Sequence, residues 1–206
     1  KRQIYRNTTV RRKEVFIINR NAKIWIVVLI VLVLFAFPLV SSYNSLVSLD
    51  QNLEAAQSNI DTQLQRRSDL IPNLVNTVKG YASQEKDIFT DIANARSKLA
   101  GANNVSDQAN ADNDLSNALS RLLVVVERYP DLKSNQNFRN LTVQLEGTEN
   151  RIAVARQDYN TAVTKYNTKR RRFPTNMISS IFGFEEKPLY KASEGSQEVP
   201  SVDFTK

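Results

Sequence analysis

Two patterns of apolar residues divide this chain. Residues 24–40 read IWIVVLIVLVLFAFPLV, 17 positions without a charge and with β-branched side chains on every helical face. As a helix this stretch covers roughly 25 Å, slightly less than a hydrocarbon core of about 30 Å, and Ser41, Ser42 and Tyr43 extend it at small cost. A helix buried in a protein core would show one apolar face, so the pattern predicts a transmembrane helix. Trp25 and Tyr43 fall where interfacial aromatic anchors belong, and Lys23 is placed to snorkel. Pro38 predicts a kink near the outer end. A cleaved signal peptide would have a shorter apolar region and a small-residue cleavage site after it.

From Leu46 the rhythm changes. Leu46, Leu49, Leu53, Ala56, Ile60, Leu64, Arg67, Ile71, Leu74, Val78, Tyr81, Glu85, Ile88, Ile92, Ala95 and Leu99 advance in steps of three and four. One stutter, between Ile60 and Leu64, interrupts the alternation. The run predicts either one helix of about 55 residues or two broken near Gly80. Residues 101–114, GANNVSDQANADND, lack periodicity and read as a loop leading into a helix N-terminus. Leu115, Ala118, Leu122, Val125 and Val126 mark the next helix, which stops before Tyr129 and Pro130. PDLKSNQN reads as a connector.

The most regular run comes last. Phe138, Leu141, Leu145, Thr148, Ile152, Ala155, Tyr159, Ala162, Tyr166, Lys169 and Phe173 predict a helix of about 40 residues ending at Pro174. Thr175 as cap and Gly183 as stop bracket a short helix, and residues 184–206 read as an extended strap packing back along the bundle. No single amphipathic helix buries its own stripe. The predicted fold class is therefore all-α: one N-terminal transmembrane helix followed by an antiparallel bundle of long helices. An up-and-down four-helix bundle is favoured over a long helical hairpin. Its expected core stripe includes Leu74, Val78, Ile88, Ile92, Phe138, Leu141, Leu145, Ile152, Tyr159 and Tyr166. The expected organisation is a basic tail at 1–23, a membrane helix at 24–43, a bundle at 44–183 and an extended tail at 184–206.

Charge changes this picture only at one end. The chain has a net charge of +7, and residues 1–23 alone carry eight Lys or Arg against one acid, Glu14. The remaining residues balance, so the high pI predicts no nucleic-acid partner for the bundle. Basic residues before the span, and none after it until Arg66, place the N-terminus in the cytoplasm by the positive-inside rule. The bundle is then extracytoplasmic, on the outer side of a bacterial plasma (inner) membrane. Residues 15–18 form a second short apolar patch. The basic run from Lys169 to Arg172 reads first as favourable charge at a helix C-terminus.

The chain has no Cys and no His. That excludes thiol chemistry, disulfides, Cys/His metal sites and histidine acid–base catalysis. Phosphate-binding and nucleophile-elbow motifs are also absent. Glu127, Glu146, Glu149 and Asp158 lack the histidine partners of a carboxylate metal site, and read as a solvated face paired with Arg151 and Arg156. No metal, cofactor or small-molecule substrate is expected.

One stretch departs from the pattern. QRRSDLIPNLVNTV puts Arg67 on the core stripe, where an unpaired charge is costly. Either Arg67 pairs with Glu146, Glu149 or Asp158, or Arg66, Arg67 and Asp69 face a partner protein or another subunit. Pro72, lacking an N–H, predicts a kink beside Asn73.

RRSDLIPNLVNTVKGYASQE, ERYPDLKSNQNFRNLTVQLEGTENRIAVARQDYN and FPTNMISSIFGF together resemble the bacterial LemA family, across residues 43–204. The resemblance implies a membrane-anchored antiparallel helical bundle and no catalytic residues. It suggests links to the cell envelope and to membrane metalloproteases. Gln84 stands where members of that family often carry His, and some members are described with the opposite topology. The functional expectation is a non-enzymatic single-pass scaffold or adaptor, binding the lipid bilayer, itself or another membrane protein. The alternatives are a carboxylate-dependent envelope hydrolase and a sensor signalling through the basic tail.

Overall fold

The computed structural model describes residues 20–191. Six helices follow in order: α1 Arg20–Lys79, α2 Lys86–Ala100, α3 Val105–Val126, α4 Pro130–Ser134, α5 Gln136–Arg171 and α6 Thr175–Phe182. Residues 184–191 continue as an extended segment, and the described residues contain no strand. The chain divides into two compact units at Ser41 and Ser42. Residues 1–19, with most of the basic tail and the apolar patch at 15–18, lie outside the described residues. So do residues 192–206 and the side chain of Lys23.

In the first unit the apolar stretch has almost no protein cover. Trp25 is 72 % exposed, Leu34 67 % and Phe37 75 %. Side chains this apolar do not face water over such a length, and the helix is long and apolar enough to cross a membrane.

In the second unit, α1 stops where Gly80 follows Lys79. The amides of Tyr81 and Ala82 both turn back to the Val78 carbonyl, so the long run of heptads is two helices and not one. Glu85 begins α2 without capping it; its carboxylate pairs instead with Arg128, at 2.9 Å, beyond the end of α3. The connection from α2 to α3 is only residues 101–104. The expected loop over 101–114 is thus helical from Val105, because Asn104 caps it by accepting from the amide of Asp107 at 2.8 Å. Val105, Ala109, Ala111 and Asp112 are buried, so tertiary packing overrides the polar composition of this segment. Pro130 starts α4, a single turn where a plain connector was expected. Asn135 then caps α5 through the amides of Asn137 and Phe138.

α1 and α5 run antiparallel. Lys187, in the segment held along the end of α5, meets Asp50, Arg67 meets Glu149 within α5, and Tyr81 accepts from Asn135 at its start. The α2–α3 hairpin covers one end of this pair, where Ile71, Leu74, Val78, Ile88, Ile92, Leu115, Leu122 and Phe138 share one core. The bundle therefore has four helices at that end. At the other end, α1 and α5 are joined by α6 and the extended segment.

Most of the expected core stripe is buried, Ile152 and Tyr166 completely. One position departs from it, and two further positions of the longer apolar runs, Tyr81 and Phe173, are exposed. Leu141 is only half-buried against the core. Tyr81 is exposed because α1 has ended, and Ala82 takes the inward place in the turn. Phe173 is 81 % exposed because α5 ends at Arg171, two residues earlier.

Candidate functional site

Arg67 is buried on the inner face of α1, and three elements supply its partners. Its Nη1 lies 2.8 Å from Asp112 Oδ1 of α3 and 2.9 Å from Glu149 Oε2 of α5. Its Nη2 donates to Ser116 Oγ at 3.0 Å. Asp112, fully buried, gives its second oxygen to Arg156 of α5. One carboxylate thus bridges two guanidiniums, with Glu149 as a partly solvated second counter-charge.

Burial lowers the Arg67 pKa from its ordinary value, and the negative charge of Glu149 works in the opposite direction. Charges this deep persist only where they satisfy one another. Both oxygens of Asp112 are engaged by arginine. Chemically the arrangement is a clamp across three helices.

The extended segment closes over this clamp. The Arg156 guanidinium lies 4.8 Å from the centre of the Tyr190 ring, and Tyr190 is itself buried. Burial raises the Tyr190 pKa, while the charge of Arg156 pulls it back. Among the described residues its hydroxyl has no hydrogen bond of ordinary geometry. Beside it, an open groove of about 760 Å³ runs along α5 between Ala153, Asn160, Thr164 and Tyr190.

Two asparagines hold the segment to α5. Asn160 accepts from the amide of Tyr190 at 2.8 Å and donates to its carbonyl at 3.0 Å. Asn167 does the same with Lys187, at 3.1 and 2.8 Å. The spacing explains the match: seven helical residues rise about 10.5 Å, and three extended residues span about 10 Å. Tyr159 adds a bond to the Pro188 carbonyl, and Arg170 one to that of Phe184. The strap expected over 184–206 is thus present as far as residue 191.

Sequence reasoning missed Asp112, Arg156 as its partner, and both asparagines. Of the partners expected for Arg67, Glu149 is in place, while Glu146 and Asp158 are exposed elsewhere. Arg66, Asp69 and Asn73 are exposed, and their spacing of three and four puts them on one outward face of α1. Pro72 is half-buried within α1, which continues through it as a helix. Trp25 is exposed, and Tyr43 packs against the rings of Phe182 and Phe184.

An uncovered apolar helix ahead of an antiparallel bundle, closed by a clamp and a strap, defines a membrane-associated helical-bundle protein. The LemA family pattern matches residues 56–204, and the chain belongs to the LemA family. It is 30 % identical to the magnetosome proteins MamQ 1 and MamQ 2 of Paramagnetospirillum magneticum, over 83 % of this chain and 70 % of each of theirs. It is 24 % identical to Protein LemA of Metamycoplasma hominis, over 78 % of this chain and 74 % of that one.

Proposed function

We propose that the chain is a non-enzymatic, single-pass scaffold of the bacterial inner membrane, with its N-terminus cytoplasmic and its bundle extracytoplasmic. The observation that supports this most is a pairing of two features in one chain. The described side chains of residues 24–40 have almost no protein cover, and they lead directly into a bundle whose most deeply buried charges, Arg67 and Asp112, are engaged with one another. A rigid, anchored bundle suits the presentation of a surface to other proteins, whereas general acid–base catalysis needs a titratable group that can reach a substrate.

The outward stripe of Arg66, Asp69 and Asn73 is the surface we assign to self-assembly or to another membrane protein, a membrane metalloprotease among them. It is polar, regularly spaced and independent of the core. In-membrane crosslinking at native expression should trap a defined product. Arg66→Glu with Asp69→Lys should abolish that product without lowering thermal stability. An unchanged product moves the contact elsewhere, and recovery of monomer alone from the unaltered chain contradicts the scaffold reading.

A further inference from the structure

α6 and the turn before it carry a cluster of exposed apolar side chains. Phe173 is 81 % exposed, Met177 52 %, Ile181 72 % and Phe182 58 %. Met177 and Ile181, four apart on α6, face outward together, and Phe173 is exposed in the turn that precedes the helix, while Ile178 and Ser179 on the opposite face of α6 are buried against the bundle. A surface of this kind in water is an unmet contact.

Basic side chains flank it. Lys169, Arg170, Arg171 and Arg172 end α5 immediately before Phe173. Glu186 engages Arg170 and Arg171, at 3.7 and 2.6 Å. Lys169 and Arg172 have no ion-pair partner among the described residues. An apolar surface beside such cations has the chemistry of an interfacial amphipathic helix.

Position in the chain identifies the occupant. The Phe182 ring lies 4.9 Å from that of Tyr43, centre to centre, and Tyr43 follows Val40 by three residues. Three residues of chain cannot separate them by more than about 11 Å. Chain connectivity alone therefore keeps the end of α6 within reach of a bilayer interface, if the apolar stretch spans a membrane.

We propose that α6 and the turn before it are a second membrane contact, inserting Met177 and Ile181 of the helix and Phe173 of the turn into the interfacial zone of the bilayer while Lys169 and Arg172 meet anionic phospholipid headgroups. The proposal rests on the membrane anchor of the preceding reading and adds to it a second contact with the same surface.

The absence of native cysteine makes the test direct. The full chain, reconstituted in phosphatidylcholine vesicles with and without phosphatidylglycerol, carries one polarity-sensitive label at Ile181→Cys, Met177→Cys, Val154→Cys or Leu32→Cys. Labels at 177 and 181 should shift to the blue and be quenched by brominated phospholipid, more strongly when phosphatidylglycerol is present. The label at 154 should show neither effect. Lys169→Gln with Arg172→Gln should remove the dependence on phosphatidylglycerol. Labels at 177 and 181 that behave like the label at 154 overturn the proposal. A blue shift without lipid quenching, lost on dilution, also overturns it, since a second copy then covers the apolar surface. Quenching at 32 but not at 181 leaves the anchor standing, whereas quenching at neither removes both readings.

Discussion

Arg67 and Asp112 lie 45 positions apart in sequence and meet in the bundle core at 2.8 Å, both almost wholly shielded from solvent. Asp112 also holds Arg156, so its loss leaves two guanidiniums facing each other without a common counter-charge. Asp112→Ala should lower stability by about 3–5 kcal/mol, the usual effect of deleting one partner of a buried ion pair. Arg67→Met should cost distinctly less, because Arg156 still satisfies Asp112 and the methionine fills the space of the arginine stem. Denaturant unfolding of the three proteins gives both differences. An equal loss for the two variants would contradict the bridging role of Asp112.

The strap is held through its backbone, so its attachment depends on the two asparagines more than on its own side chains. Asn160→Ala or Asn167→Ala removes two hydrogen bonds each, and a typical bond contributes about 1 kcal/mol. The amides of Tyr190 and Lys187 should then lose hydrogen-exchange protection while those of α2 and α3 keep theirs. Exposed Asn150 serves as the control, and Asn150→Ala should change nothing along the strap.

Alkaline pH should loosen the same end of the molecule. Burial raises the pKa of Tyr159, Tyr166 and Tyr190 above the ordinary value of about 10. Below that value folded and unfolded chains both keep these protons, and the contribution is whole. As pH climbs past it the unfolded chain ionises first, so stability falls until the folded values are reached. Thermal unfolding should thus drop steeply above pH of about 10. Tyr190→Phe, which deletes a buried hydroxyl with no well-formed hydrogen bond among the described residues, should weaken that drop and cost little stability at neutral pH.

Helix α3 depends on its cap. Its first turns, from Val105 to Asp114, are rich in Asn, Asp and Ala, and the Asn104 side chain satisfies the Asp107 amide. Asn104→Ala should cost about 1 kcal/mol, read as a shift in the denaturant midpoint at constant slope.

What the sequence made legible was what obeys a period. The change from an unbroken apolar run to three–four spacing separates the membrane-length helix from the bundle, and the second stripe predicts α5 through Leu145, Ile152, Tyr159 and Tyr166. The start of α3 was hidden because Asp112, a poor helix former by itself, is held inside by arginines from two other helices. That pairing has no local signature. Arg67 gave a usable signal, since a charge on a core stripe demands a partner, and it led to Glu149 but not to Asp112.

The strap site did leave a trace. Tyr159-Asn160 and Tyr166-Asn167 repeat one dipeptide at a spacing of seven, with each tyrosine on the core stripe and each asparagine beside it. Such a repeat marks a helix edge that binds something at two-turn intervals. The period of the apolar residues alone does not show it.

The scaffold reading stands or falls on stoichiometry in the membrane. The protein, expressed at its native level and extracted in mild detergent, can be weighed by native mass spectrometry against the mass of its own denatured single copy. A discrete complex, with more than one copy or with a partner in fixed ratio, is the result the scaffold predicts. Monomer alone, across a range of gentle detergents, would contradict it.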